Sequence, residues 1–185
     1  MNKKLYVISG SSGVGKGTVL KGFLQKNPQF TLSISCTTRN PRPGEIDGVN
    51  YFFLTKEEFK DCIEQDKFLE WAEFAGNFYG TKKKYINKCL EEGKDVILEI
   101  DTKGALQVKK RMPDAVLIFI CPPSFEDLEK RLRGRHTEDE ATIQRRLNEA
   151  KIELERAENF DYKIVNDDLD NAIAELEKVT GCQNA

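Results

Sequence analysis

Leu5-Tyr-Val-Ile-Ser9 is a short β-rich, mostly apolar run, and a glycine-rich stretch separates it from Thr18–Lys26, where Val19, Leu20, Phe23 and Leu24 recur at helical spacing. The pattern predicts strand, loop, helix. Similar runs return at Asp95–Ile100 and Ala115–Cys121, with a weaker one at Tyr162–Val165, and helical segments lie between and after them. Strands that read as near-continuous apolar runs are buried on both faces, so the alternation predicts an α/β fold with a parallel sheet flanked by helices. Helix boundaries carry their own chemistry. Thr55-Lys-Glu-Glu58 and Ser124-Phe-Glu-Asp127 fit the capping box, and Gly93 stops a helix over Lys84–Glu92.

Two stretches interrupt the alternation. Between Ser33 and Lys84 the chain turns to short strands, aromatic residues and a Pro41-Arg-Pro-Gly44 turn, which predicts a small β-rich insertion with Trp71 and Phe74 in its core. Ser124–Asn159 reads as a helical insertion with a charged turn, Arg131-Leu-Arg-Gly-Arg-His-Thr137, near its middle. Ile143, Leu147, Leu154 and Ala157 mark the packed side of its long helix. No repeat, low-complexity segment or long linker divides the chain, so 1–185 is expected to form one domain.

Composition narrows the chemistry. A net charge of −2 over 185 residues argues against a general nucleic-acid or membrane surface, so any anion site must be local. The apolar run after residues 1–4 is too brief for a signal segment or a membrane span, and a cytoplasmic protein is expected. The five cysteines are widely spaced and contain no Cys-x-x-Cys, which suggests reduced packing residues rather than disulfides or a zinc site. His136 is the single histidine, leaving no multi-histidine metal site and no obvious catalytic triad.

Gly10-Ser11-Ser12-Gly13-Val14-Gly15-Lys16-Gly17 lies between the first strand and helix and matches the first seven positions of G-x-x-x-x-G-K-[ST]. Glycines let successive N–H groups turn toward a phosphate, the helix N-terminus adds positive potential, and Lys16 supplies a full charge, so ATP or GTP is the natural ligand. Gly17 stands where a hydroxyl usually meets Mg²⁺, leaving that role to Thr18 or to water. The Lys-Gly-Thr variant is one associated with nucleoside monophosphate kinases.

Farther on, Ser33-Ile-Ser-Cys-Thr-Thr-Arg-Asn-Pro-Arg-Pro-Gly-Glu45 presents two arginines on a proline-stiffened loop. With Phe68-Leu-Glu-Trp71, Gly76-Asn-Phe-Tyr-Gly-Thr81, Leu98-Glu-Ile-Asp101, Arg131–Thr137 and Ile164-Val-Asn-Asp-Asp168, in that order and spacing, nearly the whole chain resembles the guanylate kinase family. The resemblance implies a core (1–33, 94–123, 160–185), a GMP-binding subdomain (34–84) and a lid (124–159). It implies that Arg39 and Arg42 hold the GMP phosphate with Ser35, Tyr51 and Tyr79. Guanine's N1–H and exocyclic amine need acceptors, and the resemblance assigns them to Glu70, with Thr81 and Ser35 nearby and Glu99 or Asp101 approaching from the core. Read without it, Glu70 is a surface strand residue. Asp101 is expected to organise water, Mg²⁺ or GMP.

The same resemblance brings Arg131, Arg135 and Arg146 onto the phosphates and sets Asn166 near the adenine. Phosphoryl transfer relies on in-line positioning and cations rather than a dedicated base, so Lys16, Arg42, Arg135 and Arg146 are the expected catalytic residues, with Mg²⁺ bridging the ATP oxygens. Alone, an arginine-rich helix face reads as solvated and neutralised by Glu138, Asp139, Glu140 and Glu149. Ser11, Lys103 and His136 depart from the family's usual residues; Lys103 adds charge beside Asp101, and His136 could make the lid sensitive to pH. Kinases for other monophosphates share the loop variant, but Glu70 and the arginine pair argue against them. Phosphopeptide-binding relatives have commonly lost loop or lid residues that are present here.

Overall fold

The structure is a computed structural model that describes residues 3–134 and 139–182. In chain order its elements are β1 (Leu5–Gly10), α1 (Lys16–Lys26), β2 (Phe30–Leu32), β3 (Cys36–Thr37), β4 (Phe52–Phe53), α2 (Lys56–Glu64), β5 (Phe68–Phe74) and β6 (Asn77–Lys82). They continue with α3 (Lys83–Glu91), β7 (Asp95–Glu99), α4 (Thr102–Arg111), β8 (Val116–Cys121), α5 (Phe125–Arg133), α6 (Glu140–Arg156), β9 (Tyr162–Val165) and α7 (Leu169–Thr180).

Five of the strands form a parallel sheet in the order β2-β7-β1-β8-β9. Alternate residues explain the apolar runs. Leu5 and Val7 of β1, Val96 and Leu98 of β7, and Leu117 and Phe119 of β8 enter one buried cluster with Ala105 and Val108 of α4. Tyr6, Ile8, Ile97, Ile118 and Ile120 enter the opposite cluster with Val19, Leu20 and Phe23 of α1 and Ile173 and Leu176 of α7. Both faces are covered, as a sheet read from continuous apolar strands requires. Edge strand β2 is too short to stand out in the sequence; its pairing with β7 through Phe30↔Asp95 and Leu32↔Ile97 identifies it.

The β-rich insertion is a separate four-stranded sheet in the order β4-β3-β6-β5, with β3 and β4 parallel and the remaining pairs antiparallel. Phe59 of α2 is fully buried between Phe68 and Phe78, at ring-centroid distances of 4.3 and 5.4 Å. Trp71 packs at the margin of this cluster. Phe74 does not: it is 69% exposed, because it ends β5 just before the Ala75-Gly76 turn, where φ is positive at both residues. A two-residue hairpin turn of that hand extends the strands beyond the subdomain core and carries Phe74 out with them.

Thr55 forms the full capping box with Glu58, whereas Ser124 accepts from Asp127 N–H without the return bond from the acidic side chain to the cap N–H. In the helical insertion, Ile143, Leu147 and Ala150 of α6 pack with Leu128 and Leu132 of α5. Leu154 and Ala157 instead join the main core, so the base of this hairpin is welded to the central sheet. Among the described residues, no helix is long and apolar enough to cross a membrane. Cys36, Cys62 and Cys89 are free and buried, and Cys121 and Cys182 are free and partly buried.

Candidate nucleotide-binding site

Parallel strands all finish at one edge of their sheet, and ligands bind in the crevice outside their carboxyl ends. There β1 runs into the glycine loop, β7 ends at Glu99 with Asp101 just beyond it, and β9 ends at Val165, immediately before Asn166. Gly13 and Gly15 adopt φ of 93° and 91°, and Gly15 caps α1 with no side-chain hydrogen bond and no acidic residue in the first turn. The helix end therefore presents backbone donors and positive potential to an anion. Lys16 stands 3.8 Å from Glu99 Oε1, so the loop lysine is already paired with a carboxylate of the facing strand.

The loop is braced from beneath. Asn166 is buried; its Nδ2 donates to Val14 O at 2.8 Å, and Arg131 Nη2 donates to Asn166 O at 2.9 Å. A Cβ on Gly15 would come within 2.7 Å of Asn166 Nδ2, so this close approach, in addition to the positive φ, demands glycine there. The sequence suggested Asn166 near an adenine ring and Arg131 on phosphate; in this conformation both hold the loop. Arg146 Nη1 donates to Ser12 Oγ at 3.1 Å, which places the α6 arginine against the phosphate loop. Arg135 lies outside the described residues. Glu153, missed from sequence, faces Lys16 from α6; burial pushes its carboxyl up and the lysine opposes that shift.

Across the crevice, Ser35, Tyr51, Glu70, Tyr79, Glu99 and Asp101 line one cavity of ≈ 220 Å³, together with Ala72, Phe74, Gly80 and Ile100. Thus six residues separated widely in sequence converge, and the exposed Phe74 supplies part of the wall. Glu70 is only 5% exposed, so its plain reading as a surface strand residue does not hold. The cause is a register irregularity between Phe68 and Glu70, which makes Phe68, Leu69 and Glu70 consecutively buried. Such a bulge re-aims a side chain that strict alternation would send elsewhere. Thr81, directly across the strand pair, donates to Glu70 Oε1 at 2.6 Å.

Burial dominates the Glu70 carboxyl and pushes it up to about 7; Thr81 lowers it and nearby Asp101 raises it. Asp101 also has a structural duty that its sequence position did not reveal: it caps α4, Oδ1 accepting from Gly104 N–H at 2.8 Å. At the cavity rim, Arg39 lies 5.4 Å from the Tyr51 ring and forms a bidentate pair with Glu45 at 3.0 and 2.9 Å. Glu45 Oε2 also accepts from Arg42 N–H at 2.7 Å, while the Arg42 residue is exposed on the proline turn. The sequence offered no signal for Glu45 beyond its place after Gly44, yet it organises both arginines.

A strand–glycine loop–helix unit at the end of a parallel sheet, facing an insertion with its own cleft, defines a P-loop protein of the nucleoside monophosphate kinase architecture. The chain matches the Guanylate kinase family profile over residues 2–181. It is 53% identical over 174 residues to a guanylate kinase of Synechococcus, spanning 94% of this chain and 80% of that protein. It is 55% identical over 175 residues to one of Prochlorococcus marinus, spanning 95% of each. The crystal structure of guanylate kinase from Anaplasma phagocytophilum superposes with a TM-score of 0.75 at 32% identity, covering 97% of this chain and 85% of that one. The chain belongs to the guanylate kinase family.

Proposed function

We propose that this protein transfers the γ-phosphoryl group of ATP to GMP, yielding ADP and GDP. The observation that carries the reading is the meeting of two unlike sites at one sheet edge: a cationic glycine loop and a cleft lined by Glu70, Glu99 and Asp101, joined by the Lys16–Glu99 pair. The loop residues Gly10–Thr18 would receive ATP, while Arg39, Arg42, Tyr51, Tyr79 and Ser35 would receive the GMP phosphate. Glu70, backed by Thr81, would accept from guanine N1–H and the exocyclic amine, with Asp101 and Glu99 completing the cleft.

On closure, a GMP phosphate oxygen forms the new bond to the γ-phosphorus as its bond to the ADP oxygen breaks. Lys16, Arg42, Arg146 and Arg135 would neutralise charge spread over the transferring oxygens, an electrostatic task that needs no histidine. Segment 124–159 acts as the lid excluding water, 34–84 as the GMP-binding subdomain, and 1–33, 94–123 and 160–185 as the core. The Arg39–Glu45 pair keeps one phosphate-binding guanidinium ordered before substrate arrives.

Mg²⁺ fits the donors present. Among the described residues no cluster of three histidine, cysteine or acidic groups forms a cage, and Mg²⁺ on nucleotides characteristically keeps waters and phosphate oxygens with few protein ligands. Exposed Thr18 on the first turn of α1, and Glu99 or Asp101 through water, would hold it. When bound it would supply Lewis-acid neutralisation of the negative charge on the nucleotide's phosphate groups. The free buried thiols suit a reducing compartment, consistent with a cytoplasmic protein.

The test is ADP formation from Mg-ATP with GMP, AMP, CMP and UMP supplied separately. Turnover with GMP alone is expected. Equal turnover with AMP would overturn the base assignment, and silence with all four would overturn the enzymatic reading in favour of phosphopeptide binding.

A further inference from the structure

Strand β5 is the outer strand of its sheet, pairing with β6 along one edge. Its other edge meets α4, where Gln107 occupies the place of a missing strand. Gln107 Oε1 accepts from Trp71 N–H at 3.3 Å and its Nε2 donates to Trp71 O at 3.1 Å. This is the donor–acceptor pair that one peptide unit offers another across a sheet, supplied by a half-buried side chain.

Trp71 directly follows Glu70, and the amide acts beside the bulge that buries this carboxylate. One face of α4 meets this part of β5. Gly104 leaves room for Glu70, since a Cβ there would lie 2.9 Å from Glu70 Oε2. Gln107 and Arg111, three and seven residues farther along the helix, reach Trp71 and Phe68, the guanidinium donating to Phe68 O and to Asp66 Oδ1. A bulge interrupts the ladder that would otherwise fix the strand's position, so contacts on the free edge gain importance. The helix that receives these contacts begins at its cap, Asp101, the second carboxylate of the cleft.

We infer that Gln107 is a specificity-positioning residue, whose amide pins Trp71 to α4 and so sets the placement of Glu70 relative to Asp101. The inference rests on the guanine-reading role proposed for Glu70. Reading N1–H and the exocyclic amine requires acceptors at a fixed depth. The two acids sit on different structural units, and a tether between α4 and β5 holds them in register. Gln107 itself touches no substrate in this scheme.

The experiment compares Gln107→Met and Glu70→Gln with the parent enzyme, measuring kcat/KM for GMP and for IMP, which lacks the exocyclic amine, together with KM for ATP. Gln107→Met should lower the GMP-over-IMP preference by about ten-fold, the scale of a lost hydrogen bond, while KM for ATP stays within about two-fold. If Glu70→Gln lowers the preference but Gln107→Met leaves it unchanged, the tether is refuted and the Glu70 reading stands. If Glu70→Gln itself leaves it unchanged, both fall. Parallel increases in KM for GMP and ATP after Gln107→Met would also refute the tether, because they indicate general loosening. Should Gln107→Met not fold, Gln107→Asn, which keeps the amide but shortens its reach by one methylene, carries the same test with the same outcomes.

Discussion

Glu70 should make GMP binding depend on pH in a way that Glu70→Gln abolishes. Burial raises its carboxyl from 4.5 to about 7 in the free protein, so ionising it there costs ~3 kcal/mol more than in water. Guanine presents donors, and only the ionised carboxylate is purely an acceptor. At pH 6 about one Glu70 in ten is ionised and at pH 8 about nine in ten, giving a roughly ten-fold change in GMP affinity from this group. Titration calorimetry of GMP without ATP, from pH 6 to 8, measures the effect. The phosphate's own ionisation is shared by parent and variant and cancels in their ratio. Parallel profiles would refute the assignment. The same group affects stability in the opposite sense: its contribution is full below pH 4.5 and is lost as pH rises toward about 7, because the folded state holds the proton that the unfolded chain has released. Glu70→Gln should therefore gain stability relative to the parent between pH 4.5 and 8, by at most ~3 kcal/mol, read by urea denaturation at each pH.

Other residues yield separate expectations. Arg42→Ala should reduce kcat/KM for GMP by roughly 10²–10³-fold through loss of phosphate charge stabilisation, while ATP affinity stays near the parent value; equal loss of ATP affinity would remove Arg42 from the acceptor side. Phe59→Ala, in the middle of the insertion's ring stack, should cost about 3–5 kcal/mol and impair GMP binding before ATP binding, since the two large clusters on the central sheet do not include it. Asn166→Ala removes the Val14 brace and should cost about 1–3 kcal/mol with weaker ATP binding; unchanged ATP affinity would show that the brace does not shape the loop.

The strand–loop–helix unit, the buried strands β1, β7 and β8 and the phosphate-loop lysine were legible in the amino-acid order because each is a local pattern: an apolar run, a glycine spacing, a helix start. The two insertions were legible as changes in that pattern. The family resemblance supplied the acceptor residues, which spacing alone left as a basic loop and an ordinary surface strand. Strand order and the short edge strand β2 depended on long-range pairing, which leaves no local periodicity. Phe74 was expected in a core because aromatic residues usually pack, but the hairpin turn carries it to the cleft.

Glu70 shows the division most clearly. Its acidity is written in the sequence, yet its burial follows from a bulge in β5, an opposing Thr81 and a helix that lacks a side chain at Gly104. Likewise, Asn166 and Arg131 were chemically recognisable, but only the packing of β9 and α5 against the loop brings both onto Val14 O, a contact with no local signal in the sequence. Local order thus determined which elements form and which charges exist. The tertiary structure decided which charges meet, which are desolvated and which are committed to holding the backbone, because those outcomes depend on distances between segments far apart along the chain.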